Sequence, residues 1–214
     1  MAYIEHPYML TPGDAPMARR FFVGCDFGKE IDYTAISIIE QEWGGIKFPK
    51  WRYHLRALDR IKGAEYPEVI KTLVSIMKRL AKEPASDGPN LAFDSTGIGG
   101  VLRDYLRKEQ IFQRPAKIWP VVFTSGEGAR RNPETHSYNC PKTAMVANFI
   151  SVLQHGQFDY PPELPTLELL EGELKSFKMK LAPSGKTSFN AEDGSHDDLL
   201  AAIYIPIFIG EWKF

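Results

Sequence analysis

Phe21-Phe22-Val23-Gly24-Cys25-Asp26 is a short apolar run that stops on a carboxylate, with Gly28 just beyond it. Tyr33 to Glu40 follows as a second run, rich in Ile, so the pattern predicts two consecutive strands joined by a polar turn. A third strand, around Ile46 to Leu58, completes a meander. Downstream, Pro67 opens a helix in which Val69, Leu73, Ile76 and Leu80 recur on one face, Asp87-Gly88-Pro89 turns the chain, and Asn90 to Phe93 is the fourth strand.

Asp94-Ser95-Thr96-Gly97-Ile98-Gly99-Gly100 has the composition of a tight loop feeding a helix, with Val101, Leu102, Tyr105 and Leu106 as its buried stripe. Pro115 to Phe123 reads as a fifth strand, and Thr124 to Asn139, rich in Gly, Ser, Asn and Arg, as a long surface loop. Pro141 stands at a first helical position before Met145, Phe149 and Leu153. Another helix is expected from Leu164 to Phe177, then a hairpin around Pro183-Ser184-Gly185, and a last helix from about His196. Three strands followed by helix, strand, helix and strand point to an α/β domain with a mixed five-stranded central sheet flanked by helices. Residues 1–19, with Pro7, Pro12 and Pro16, read as an irregular arm or linker and residues 20–214 as one domain.

Composition agrees with a single globular unit: 214 residues, 43% hydrophobic and 25% charged, which excludes disordered, collagen-like and coiled-coil chains. The 26 Lys and Arg nearly cancel the 27 Asp and Glu, so the net charge of -1 exerts no global pull on polyanions, and a nucleic-acid partner must be engaged locally. Cys25 and Cys140 are far apart and supply neither a disulfide framework nor a zinc pattern. The apolar run Leu199 to Ile209 is shorter than the ~18 to 20 residues a bilayer span needs, and MAYIEHPYML lacks the features of a signal peptide, so a cytoplasmic protein with no membrane partner is expected.

Three places set a carboxylate at the edge of a strongly apolar element: Asp26 after the first strand, Asp94 after the fourth, and Asp197-Asp198 at the start of the final helix. Each has an ordinary structural use, as a turn residue, a loop cap, or helix-start acids behind an N-cap Ser195. Together they make a different pattern, because carboxylates held against core segments need a compensating cation or hydrogen bonds. If the first and fourth strands are parallel neighbours, Asp26 and Asp94 meet at one edge and the helix start adds a third acid. Oxygen ligands of this kind suit Mg²⁺ or Mn²⁺, and two such ions roughly 3.5 to 4 Å apart activate water against a phosphodiester.

The segments FFVGCDFGKEIDYTAISIIE, LAFDSTGIGG and GSHDDLLAAIY, in this order, resemble the nuclease domain of phage large terminase subunits, a branch of the RNase H-like and Holliday-junction-resolvase superfamily. PKTAMVANFISVLQHGQF and LELLEGELKSFKMK are similar to the stretch between that family's second and third acidic motifs, so the resemblance runs from about Phe21 to the C-terminus. It implies an RNase H-like fold and a metal-dependent endonuclease that cuts concatemeric phage DNA during packaging. On this likeness Asp26 matches the acid bridging two metal ions, Asp94 the second ligand, and Asp197 or Asp198 the final-helix acid, with His196 near the acids or the scissile phosphate. Implied partners are double-stranded DNA, a packaging ATPase domain, the small terminase subunit and the portal. The ATPase itself is not expected here, since Gly185-Lys186-Thr187 imitates the end of a phosphate loop but Lys180 replaces its first glycine.

Candidate phosphate contacts are Arg130 and Arg131 in the long loop, Lys142 after it, and Lys178, one of four lysines between Leu174 and Lys186 that meet no acid. Other readings of the same residues are a structure-selective resolvase or RNase H-type nuclease, and a DNA-packaging or assembly module whose acids are structural. Asp26-Phe27-Gly28 with Thr34 also resembles the first phosphate loop of the actin and sugar-kinase group, but the second such loop is not evident.

Overall fold

The computed structural model describes residues 18–28, 32–43, 50–83, 87–97, 99–125, 128–176, 178–181, 187–190 and 197–212. Its core begins where the sequence pattern is strongest. Strands β1 (Arg19–Asp26), β2 (Tyr33–Trp43) and β3 (Trp51–Lys62) form the expected antiparallel meander. After α1 (Tyr66–Leu80), strand β4 (Asn90–Asp94) pairs with β1 in parallel, and after α2 (Gly99–Lys108), β5 (Lys117–Thr124) pairs with β4 in parallel.

Among the described residues the main sheet has eight strands rather than the expected five, in the order β6-β7-β5-β4-β1-β2-β3-β8. The expected five occupy its middle. The additions are short edge strands: β6 (Arg130–Arg131) and β7 (Tyr138–Pro141) beside β5, and β8 (Phe158–Asp159) beside β3. Such short segments cannot carry an alternation of their own, and they are strands because a neighbouring edge offers unpaired backbone groups. The long loop expected over Thr124 to Asn139 is therefore interrupted by β6 and the start of β7. Pro141 ends β7 and caps α3 (Lys142–Gln154), one position before the first helical residue where it was expected. Helix α4 is shorter than expected, Leu167–Ser176, and β9 (Lys178–Leu181) pairs antiparallel with β10 (Thr187–Asn190) as the expected hairpin.

Helix α5 (Asp198–Glu211) is buried from Leu199 through Ile209. A helix apolar on every side must be enclosed, and this one lies between the sheet and the layer of α3 and α4. Helices α1 and α2 cover the opposite face. Among the described residues no helix is long and apolar enough to cross a membrane.

Candidate metal centre

The two-residue period of a strand decides which way the acids face. In β1, Val23 and Cys25 belong to the core under α1 and α2, while Phe22 belongs to the core under α5. Asp26 therefore ends β1 on the α5 face. The same alternation in β4 sends Leu91 and Phe93 to one side and Ala92 to the other, so Asp94 also ends its strand toward α5. Parallel pairing of Cys25 with Phe93 sets the two strand ends side by side.

Close packing then brings the helix start to the strand ends. The position of a Cβ on Gly24 would lie 1.8 Å from the Ala202 carbonyl oxygen, so only glycine allows α5 to sit this low on β1. Ser37 Oγ donates to that same carbonyl at 2.6 Å. Asp197 is the N-cap residue of α5 and Asp198 its first helical residue.

These four acids share one electrostatic neighbourhood. The Asp26 carboxyl is held well above the usual carboxylate range by burial and then by the charges of Asp94, Asp198 and Asp197, against which Lys142 acts. Asp26 accepts no hydrogen bond from any described residue. Asp94 is raised by burial and by Asp197, while the Thr96 N–H, donating to Asp94 Oδ1 at 2.7 Å, and Lys142 pull it down. The loop-cap use of Asp94 is thus real for one oxygen. Further contacts pin the loop: the Ser95 N–H donates to the Val121 carbonyl and the Phe123 N–H to Thr96 Oγ1. The Cys25 thiol, buried behind the acids, is pushed far up by burial and then by Asp26 and Asp94, which disfavours its thiolate.

Two cations stand among the acids. Lys142 Nζ donates to Asp197 Oδ2 at 2.6 Å, and Arg60 Nη2 donates to Asp198 Oδ2 at 3.0 Å. The Arg60 guanidinium lies over the Tyr33 ring, 3.9 Å from its centroid, which fixes its plane. Among the described residues no three His, Cys, Asp or Glu side chains converge on a single point. The four acids are oxygen donors within electrostatic range of one another, their charges offset only in part by Lys142 and Arg60, and among the described residues Asp26 accepts no hydrogen bond. That donor set fits a hard divalent cation.

Sequence reasoning anticipated the junction of Asp26, Asp94, Asp197 and Asp198. Lys142 proves to be an acid partner at the centre, whereas it had been expected only as a phosphate contact. Arg130 and Arg131 are exposed on the edge strand β6, and Arg131 Nη2 lies 3.3 Å from His136 Nδ1. His196 lies outside the described residues, as does the side chain of Lys178 in β9. Arg60 and Glu173 were missed. Arg60 sits in a strand of mixed polarity, and Glu173 in a helix with three other acids or bases within its turns, so neither carries a signal of its own.

No family model matches the chain. The solved structure of the large terminase nuclease from thermophilic phage G20c with bound magnesium superimposes with a TM-score of 0.61 at 17% identity, covering 94% of this chain and 85% of that one. The chain has the fold of a large terminase nuclease. The nuclease domain of the Thermus phage P74-26 large terminase shares it, with a TM-score of 0.56, 17% identity, and coverage of 88% and 78% of the two chains. In sequence, the terminase large subunit of Thermus phage G20c is 21% identical over 183 residues, 86% of this chain. The chain spans about 30% of the length of that curated relative. The RNase H-like architecture and the resemblance to phage terminase nucleases inferred from the acidic motifs are both borne out.

Proposed function

We propose that this chain is a divalent-metal-dependent endonuclease that hydrolyses DNA phosphodiesters, acting as the nuclease of a phage packaging terminase in the host cytoplasm. The observation that carries the reading is the approach of four carboxylates from β1, β4 and α5 to one edge of a terminase-nuclease sheet, with Asp26 half-buried among like charges and accepting no hydrogen bond from the described residues. Asp26, Asp94, Asp197 and Asp198 would hold two ions, Mg²⁺ or Mn²⁺, and the magnesium in the G20c nuclease supports that choice. Two such ions, when bound, supply an activated water and stabilise the leaving oxygen.

The protein's own part is placement. Asp26 and Asp94 sit on paired strands whose loop is tied to β5, so their oxygens are preorganised. Lys142 pairs with Asp197, and its ammonium would also serve as a contact for the substrate's phosphate. His196 would contact the acids or that phosphate. Arg130, Arg131 and Lys178 would contact the duplex backbone without reading sequence. The packaging ATPase domain, the small terminase subunit and the portal are the partners this reading assigns, with residues 20–214 as the nuclease unit.

Purified protein incubated with plasmid should cut it in Mn²⁺ or Mg²⁺ and stop on addition of chelator, and Asp26→Asn and Asp94→Asn should each abolish cutting. Full metal-dependent activity in both variants would refute the assignment. A four-way junction or an RNA/DNA hybrid cleaved in preference to linear duplex would move it to a resolvase or RNase H-type enzyme.

A further inference from the structure

An aspartate at a helix N-cap ordinarily turns its side chain inward to accept the amide of the second or third helical residue. Asp197 does not: α5 has no side-chain cap bond of its own, and the Asp197 carboxylate faces Lys142 instead. The amide that would have held it, that of Leu200 at the third helical position, is buried and donates to Glu173 Oε2 of α4 at 3.1 Å. Glu173 is itself buried, and burial pushes its carboxyl up to about 7, with the Leu200 N–H and Arg60 pulling it down and Asp198 and Asp197 raising it.

We propose that Glu173 is a positioning residue that caps α5 from the neighbouring helix and so leaves the Asp197 and Asp198 carboxylates turned toward the cation site. The proposal rests on the nuclease reading for the identity of that site. The buried Leu200 N–H needs an acceptor, because an unmet buried donor is unfavourable. With Glu173 gone, the side chain within reach by local geometry is Asp197 at the N-cap, and in taking up that bond it would turn away from Asp26 and Asp94. Capping in trans therefore separates two demands that otherwise fall on one carboxylate: ending a buried helix and binding a cation. Outer partners that orient a metal's ligands typically matter by about 10- to 100-fold in metal affinity.

The test uses Mn²⁺ alone, titrated by calorimetry into the whole chain and into E173Q and E173L. E173Q keeps a side-chain oxygen for the Leu200 N–H, and E173L keeps the volume without it. The expected result is Mn²⁺ affinity within about threefold of the parent for E173Q and a loss of about 10- to 100-fold for E173L. In parallel, a coupling across the hydrogen bond from the Leu200 nitrogen to the side-chain carbonyl carbon at position 173, read by NMR, should appear in the parent and in E173Q. Parent-like Mn²⁺ affinity in E173L overturns the proposal, and so does an absent coupling in the parent. If E173L does not fold, E173Q decides: retained affinity and coupling support the cap, and a loss beyond about tenfold overturns it. A parent that binds no Mn²⁺ but shows the coupling refutes the nuclease reading, and with it the role assigned to the cap.

Discussion

Replacing Gly24 with alanine should strongly destabilise this protein. The added carbon would fall 1.8 Å from the Ala202 carbonyl oxygen and 2.7 Å from Ser37 Oγ, where ordinary contact begins near 3.4 Å. Relief requires α5 to rise from β1 by roughly 1.6 Å, since both offending groups are held, one in helix backbone and one in its hydrogen bond to that backbone. Overpacking of this kind costs about 1 to 3 kcal/mol, and losing the Ser37 bond adds about 1 kcal/mol. A total of about 3 kcal/mol lowers Tm by about 6 to 12 °C in a domain of this size. Differential scanning calorimetry of Gly24→Ala beside Ser37→Ala checks the reasoning, the latter variant losing the bond without the clash and falling by about 2 to 4 °C. Because the same movement carries Asp197 and Asp198 away from Asp26, the Mn²⁺-dependent rise in Tm should shrink as well. A Gly24→Ala protein melting within about 2 °C of the parent would refute the close seat of α5 on β1, and with it the route by which the helix acids reach the strand ends.

Lys142→Met removes a cation from the acid cluster, so Tm should fall in chelator and the gain on adding saturating Mn²⁺ should exceed the parent's. An equal or smaller gain would show that lysine and metal do not compete for Asp197. Glu40 supplies a pH dependence elsewhere in the fold. Burial alone would raise its carboxyl, but hydrogen bonds and charge from Arg19 and Arg56 outweigh this and lower it below its ordinary 4.5. A depressed folded-state pKa stabilises the protein above the unfolded value, and that stability is lost as pH falls through the folded one. Glu40→Gln should therefore cost about 1.5 to 3 kcal/mol at neutral pH, and the gap to the parent should close in melts taken progressively below pH 4.5. A gap independent of pH would exclude the ion pairs as its cause. For DNA affinity measured across a salt series, replacing Arg130 or Arg131 with alanine should reduce the slope of log affinity against log salt by about 1 for each phosphate that the variant no longer neutralises, and an unchanged slope would remove β6 from the DNA surface.

Much of the candidate centre is legible in the sequence. Asp26 and Asp94 were found because each ends a run of residues that only a buried strand explains, and a carboxylate there is conspicuous. Asp197-Asp198 were found for the same reason at the head of a continuous apolar helix, Leu199 to Ile209. Arg60 lacked this contrast: it reaches Asp198 across 138 positions of sequence, and it stands in a strand end that mixes Leu58 and Ile61 with Asp59 and Lys62. Glu173 reads as one more surface acid in the helix of Glu168, Glu171 and Lys175 until its burial against Leu200 is known.

The sequence by itself determined the order of the central elements, the meander, the parallel fourth strand as a candidate neighbour of the first, and the carboxylates set at the edges of its apolar segments. These follow from local periodicity and from the cost of placing charge beside apolar segments, both of which are written along the chain. Only the tertiary structure decided how those charges are balanced: Lys142 on Asp197, Arg60 on Asp198, and Glu173 relieving Asp197 of its capping role. The physical reason is that Coulomb energy and hydrogen bonding depend on distances of a few ångströms across the fold, and the balance of a near-neutral chain is set by which opposite charges the packing of α5 against β1 brings together.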